Sequence, residues 1–234
     1  SVAMCGWPTT SEFAFTPGLD PGGLIPGLRR QPLLAVLRPS SFEQAHPQLR
    51  LLQGVGLCHV ELAVQATAAW VAMVRECAQA FPSLRLGAAS VRTPEQLQAV
   101  QAAGLTYAVS PILDPLLLEQ ARTVAITLVP GVFSPTEIHA AVQLGAPAVK
   151  LYPAASLGPL YWRSLAGPLG PLPFCIAAGG LLPADVRPWL AGGVDAVALG
   201  NGLFAAQAPP SLHSDLPPLL ARLSGGDMAD VLST

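Results

Sequence analysis

The chain has 234 residues, of which 51% are hydrophobic and 11% charged, and its formal net charge is −2. That length can bury a full core, as one large α/β domain or two small ones. Charge content well below the usual quarter excludes a charged solenoid or a disordered acidic tail, and the near-neutral balance leaves no electrostatic footprint for nucleic acid.

No apolar run reaches about 18 residues without Pro, Gly or polar breaks, so no membrane span is expected. The opening SVAMCGWPTTSEFAFTPG has neither a basic start nor an apolar core, and does not read as a signal peptide. Cys5, Cys58, Cys77 and Cys175 are far apart, and His46, His59, His139 and His213 show no ligand spacing. Reduced, mostly buried thiols in a cytoplasmic protein are expected, with no metal site. A surface this poor in charge suits a homo-oligomer.

Residues 1–30, rich in Pro, Gly and Thr, read as an irregular N-terminal arm. From residue 31 to 207, short apolar runs alternate with helical stretches, the mark of successive βαβ units. The strands expected are PLLAVLR (32–38), CHVELAV (58–64), LRLGAAS (84–90), TYAVS (106–110), AITLV (125–129), PAVKLY (147–152), PFCIAA (173–178) and DAVALG (195–200). Between them, RTPEQLQAVQAAG offers Thr93 as N-cap, Pro94 in the first turn, Gln96 for a capping box and Gly104 as the stop. FSPTEIHAAVQLG repeats the device with Ser134, Pro135, Glu137 and Gly145, and LLPADVRPWLAGG is a shorter version. Residues 208–234 read as a C-terminal helix and a polar tail.

Eight strands alternating with helices predict an α/β fold, a (β/α)8 TIM barrel, in a span of about 180 residues where about 250 is typical. A doubly wound open sheet is the rival. It is disfavoured because the first strand is followed by PSSFEQ rather than a G-x-G-x-x-G turn.

In a barrel, chemistry sits at the C-terminal ends of the strands. Arg38 ends the first strand, Glu61 lies within the second with Gln65 just after it, Ser90 ends the third, and Ser110–Pro111 end the fourth. Lys150, the only lysine in the chain, lies within the sixth. The seventh ends in Gly179–Gly180 and the eighth in Gly200–Asn201–Gly202, where barrels commonly hold phosphate. Arg38 could equally sit at a solvent rim, and Glu61 with Lys150 could be a structural pair. A buried pair is seldom a net stabiliser, which favours function. Desolvation disfavours the ammonium form of a lysine, and a cation such as Arg38 adds to that. The neutral amine can attack a ketone to give a Schiff base, whose iminium acts as an electron sink. Glu61 is the candidate general acid/base.

The segments VELAVQ, GAASV, VSPIL, LVPGVFSPTE, VKLYPAA with LGPLYWRSL, IAAGGL and LGNGLF occur in order on these strands. Together they resemble the 2-keto-3-deoxy-6-phosphogluconate aldolase family and its phosphogalactonate branch over about residues 31–205. PLLAVLR and GPLYWRSL are more similar to the phosphogalactonate branch. The resemblance implies a class I aldolase, a homotrimer without metal or organic cofactor, that cleaves a 2-keto-3-deoxy-6-phospho sugar acid to pyruvate and glyceraldehyde 3-phosphate. It places Lys150 at the Schiff base and Glu61 at the acid/base position. Arg38, Ser90, Gln65 and Pro111 fall on the substrate side, and Gly179, Gly180, Gly200 and Asn201 at the phosphate. Gln65 stands where the phosphogluconate branch has an arginine for the carboxylate, a role open to Arg38. Ala89 and Asn201 also depart from the family pattern. The alternatives are another phosphosugar barrel enzyme, an isomerase or epimerase, and a barrel that only binds a metabolite or partner.

Overall fold

The computed structural model describes residues 20–206 and 209–225. The first nineteen residues of the expected arm and the polar end of the tail lie outside that range. Nine parallel strand segments are present: β1 (Leu33–Leu37), β2 (His59–Ala63), β3 (Arg85–Ala89), β4 (Tyr107–Val109), β5 (Thr127–Val129), β6 (Gly131–Val132), β7 (Val149–Leu151), β8 (Cys175–Ala178) and β9 (Ala196–Leu199). Their order, β5-β4-β3-β2-β1-β9-β8-β7-β6, keeps nearly every strand beside its neighbour in sequence. A doubly wound sheet would reverse order at a switch point; none occurs here.

β5 and β6 are two halves of one stave, where the sequence predicts a single fifth strand. Pro130 lies between them and has no N–H, so the ladder loses a rung. On one side of this stave the Ser110 N–H donates to the Val129 carbonyl (2.9 Å) and the Gly131 N–H to Ile112 (3.0 Å). On the other, the Lys150 N–H donates to Pro130 (2.8 Å) and the Tyr152 N–H to Val132 (3.0 Å). The stave thus joins β4 to β7 and closes an eight-stave ring, the (β/α)8 barrel.

Period-two alternation sorts the strand residues into two cores. Leu34, Tyr107, Val129, Ala148, Phe174 and Ile176 point inward. Leu33, Leu37, Val60, Leu62 and Val149 face the outer helices. Thr93 caps the helix Pro94–Ala102 as expected, but the Gln96 side chain reaches past it to the Arg92 N–H (2.7 Å). Ser134 and Glu137 do form the reciprocal capping box of the helix Pro135–Gln143. The last helix, Leu216–Gly225, buries Leu216, Leu219, Leu220 and Leu223, a single stripe at helical spacing. No helix among the described residues is long and apolar enough to cross a membrane.

The expected irregular arm is corrected over Leu24–Arg30, which is a helix. Pro26 and Gly27 within seven residues hide it from propensity arguments. Its stability comes from the barrel whose N-terminal end it plugs. Leu24 and Leu28 are buried with the inward-facing side chains. The Asp20 carboxylate accepts the Leu24 (3.0 Å) and Ile25 (2.8 Å) N–H groups, and also the Thr127 hydroxyl (3.0 Å). Arg85 donates to the Gly22 carbonyl (2.9 Å), and the Arg29 guanidinium lies 5.4 Å from the Phe174 ring centroid. Gly27 is required by closeness: a Cβ there would lie 2.5 Å from His59 Nε2.

His59 is buried under this plug, and neither ring nitrogen has a hydrogen-bond partner. Burial first, then the charges of Arg85 and Arg30, lower its pKa to about 4. Below pH 6.5 the unfolded chain takes up a proton that the folded chain refuses, so this residue removes stability as pH falls towards 4. The loss is on the order of 3 kcal/mol. In urea titrations at pH 7.5 and 4.5, His59→Leu is expected to shrink the acid-induced drop in the unfolding midpoint. An unchanged drop contradicts the assignment.

Candidate active site

Glu61 and Lys150 occupy opposite sides of the ring. β2 and β7 are the second and sixth of eight staves, four places apart. Glu61 pairs in register with Val36 on one side and Gly87 on the other; Lys150 pairs with Gly131 and Ile176. Both side chains point inward, Glu61 by alternation with His59 and Lys150 by alternation with Ala148. Glu61 is 2% exposed and Lys150 8% exposed.

The floor beside Glu61 is built by Tyr107. Its ring fills the space left by Gly87, where a Cβ would lie 2.2 Å from the ring. The Tyr107 hydroxyl donates towards the carbonyls of Arg85 (3.3 Å) and Val60 (3.4 Å), so it brings no donor to the carboxyl. Burial therefore pushes the Glu61 carboxyl up to about 7, with the attraction of Lys150 opposing. Burial also lowers the Lys150 ammonium, Glu61 opposing and Arg38 reinforcing. Each group favours its neutral form more than it would in water. Glu61 and Lys150 make no ion pair at 4.0 Å or less.

A cavity of about 880 Å³ opens above Lys150 at the C-terminal ends of the strands. Its wall brings together Lys150, Arg38, Gly179, Gly180, Gly200 and Asn201, all singled out from the sequence. Gly179 (φ 99°) and Gly180 (φ 76°) are left-handed. A Cβ on Gly179 would strike the Tyr152 ring at 2.9 Å, and one on Gly180 would strike Ala155 at the same distance. Two glycines let this backbone lie against the turn that follows β7, as part of the cavity wall.

Four candidates are not part of that wall: Glu61, buried deeper in the barrel, and three others. Ser90 is half-buried at the end of β3, beside the β2 stave that carries Glu61. Its φ of 65° is an uncommon conformation for a residue with a Cβ, of the kind that clusters at functional sites. Pro111 is half-buried and packs so tightly on Gly131 that a Cβ there would lie 2.3 Å from the Pro111 backbone. Gln65 is exposed, beyond the end of β2.

The sequence reading missed Tyr152. Its ring centroid lies 4.7 Å from Lys150 Nζ, and it lines the cavity. The signal was present: Tyr152 is two residues past Lys150 and so shares its face. Gln44, Gln48 and Phe204 also line the cavity, from the helix Phe42–Gly54 and from the segment after β9.

Known proteins share this chain's sequence pattern and barrel. The family described as KDPG and KHG aldolase matches residues 25–210. A 2-dehydro-3-deoxy-phosphogluconate aldolase of Dickeya dadantii is 31% identical over 220 residues, covering 94% of this chain and 96% of that protein. A 2-dehydro-3-deoxy-6-phosphogalactonate aldolase of Escherichia coli is 28% identical over 176 residues, 75% of this chain and 85% of the relative. Among solved structures, a KDPG aldolase from Legionella pneumophila holds pyruvate as a covalent carbinolamine intermediate. It superposes with a TM-score of 0.71 at 25% identity, covering 88% of this chain and 97% of the other. The buried lysine and carboxyl of this barrel thus sit in a chain that belongs to the KDPG and KHG aldolase family.

Proposed function

We propose that this barrel is a class I aldolase that cleaves a 2-keto-3-deoxy-6-phospho sugar acid to pyruvate and glyceraldehyde 3-phosphate, with Lys150 as the Schiff-base lysine. The observation that carries the proposal is the pair of buried groups facing each other across the barrel, each pushed towards its neutral form. The names of the relatives, phosphogluconate and phosphogalactonate aldolases, support the substrate class.

The neutral Lys150 amine attacks the ketone. A carboxyl with a pKa of about 7 is protonated or ionised with similar ease at neutral pH, so Glu61 can both give and take protons. It protonates the departing hydroxyl as the carbinolamine loses water. It then takes the proton from the hydroxyl on carbon 4, and the bond between carbons 3 and 4 breaks. The electron pair of that bond moves into the iminium to give the enamine of pyruvate. Protonation of the enamine and hydrolysis of the imine release pyruvate and restore the amine. Arg38 and Ser90 bind the carboxylate in this scheme, with Pro111 shaping the same side. Gly179, Gly180, Gly200 and Asn201 offer backbone N–H groups to the phosphate.

The active form proposed is a homotrimer in the cytoplasm. Large apolar side chains stand exposed beyond the C-terminal ends of successive strands: Leu116 (74%), Leu160 (70%), Ile112, Phe133 and Leu182. Covering such side chains suits a self-association surface. Cys58, Cys77 and Cys175 are free thiols, as suits a reducing compartment. Light scattering is expected to give three times the chain mass; a single-chain mass counts against the trimer.

Borohydride reduction in the presence of pyruvate is expected to add one stable mass to the protein, mapped by peptide analysis to Lys150. Because the chain has one lysine, the only competing amine is the N-terminus. Lys150→Ala should reduce cleavage to background, and a rate near the parent's would be fatal to the scheme. Relative kcat/KM on the gluconate and galactonate epimers ranks the two substrates.

Glu61→Gln separates function from stability. Loss of the general acid/base should lower kcat by roughly 10²- to 10⁴-fold. The raised pKa means the folded chain holds a proton that the unfolded chain has released between about pH 4.5 and 7, so stability falls as pH rises through that window. The variant is therefore expected to gain thermal stability at pH 8 and to match the parent near pH 4.5. Each kcal/mol gained corresponds to about 2–4 °C in Tm. Equal Tm values at pH 8 would mean that the ionised carboxylate is not destabilising.

A further inference from the structure

Tyr152 is held in place from two sides. Its backbone N–H donates to the Val132 carbonyl (3.0 Å), and its ring edge lies against Gly179. Lys150 Nζ stands 4.7 Å from the ring centroid, inside the ~6 Å reach of a cation–π contact. The ring also borders the cavity, where it is 41% exposed. Nζ itself belongs to a side chain only 8% exposed, and Glu61 makes no ion pair with it at 4.0 Å or less. A positive charge on that nitrogen therefore has little solvent and no touching carboxylate to stabilise it.

Taking Lys150 as the Schiff-base lysine, as proposed above, we infer that the face of the Tyr152 ring is a positioning element that stabilises the iminium cation on Nζ. The step it acts on is dehydration of the carbinolamine. The Glu61 proton passes to the carbinol hydroxyl, and the C–O bond breaks with its electron pair leaving on water. The nitrogen lone pair forms the C=N bond, and the positive charge settles on nitrogen. Two neutral groups become a carboxylate and an iminium, a separation of charge inside a buried space. The negative π face of the ring lies where the positive end develops. The same face favours the ammonium over the amine in the free enzyme, against the pull of burial and of Arg38.

Three variants test this. Tyr152→Phe keeps the ring and loses the hydroxyl, Tyr152→Leu removes the ring, and Tyr152→Met fills the space without one should the leucine variant fail to fold. The readouts are the rate of pyruvate-dependent borohydride trapping and the pH dependence of kcat/KM. Tyr152→Phe is expected to trap pyruvate faster than either ringless variant and to keep its rising limb at higher pH than theirs. In Tyr152→Leu and Tyr152→Met, trapping should slow by about threefold to thirtyfold. The limb of the pH profile that rises as Lys150 loses its proton should move to lower pH, because the ammonium has lost its support. A defect of mere packing gives no reason for that shift. Trapping at the parent's rate in the ringless variants, a rising limb that moves to higher pH, or a phenylalanine variant as impaired as the leucine one would each overturn the inference. If the parent itself fails to trap pyruvate at Lys150, the failure belongs to the Schiff-base proposal instead.

Discussion

Everything at the mouth of this barrel follows from holding a carboxyl and an amine in low dielectric without letting them touch. In contact, Glu61 and Lys150 would form a charged pair, and each would be a poor version of its working self. A carboxylate cannot donate a proton and an ammonium cannot attack a ketone. Placed on staves four apart, they lose hydration but gain only part of the Coulomb attraction that would fix their charges. Desolvation outweighs attraction for both, which raises the Glu61 carboxyl to about 7 and lowers the Lys150 ammonium.

Such a gap is maintained only if the barrel cannot collapse. Its N-terminal half is filled by aromatic and aliphatic side chains and closed by the helix Leu24–Arg30. Asp20 ties that helix to β5 through Thr127, while Arg85 ties it to β3. Tyr107 fills the hollow over Gly87 and stands directly beneath the reactive level. The two ends therefore carry opposite burdens, packing below and unsatisfied charge above. His59 is the exception, a polar ring on the packing side with no partner for either nitrogen.

The fold was readable because its signals are local and repeated. Each strand is a short apolar run, and each intervening helix carries start and stop residues such as Ser134 with Glu137 and Gly145. Glu61 and Lys150 were readable for the opposite reason, since ionisable residues inside apolar runs break the pattern. What escaped was whatever depends on a distant part of the chain. Leu24–Arg30 has little helical propensity of its own and is held by the barrel it closes. The left-handed Ser90 gives no sign in the sequence, because nothing but tertiary context holds a serine at φ 65°. Tyr152 reads as one more aromatic in a strand until the ammonium is seen over its ring. Gln65, singled out through the family resemblance, lies exposed beyond β2 and outside the cavity wall.

The scarcity of lysine calls for a different argument. An exposed lysine has a pKa near 10.4, so less than about one in a thousand such amines is neutral at pH 7. Surface lysines would therefore compete poorly for a ketone, and Schiff-base chemistry does not require their absence. What it requires is the environment of Lys150: burial, a nearby guanidinium and a carboxyl held at a distance. The same side chain moved to the rim of the cavity would be an ordinary cation. Its uniqueness in composition draws the eye, but the chemistry rests on the apolar strand that takes the amine out of water.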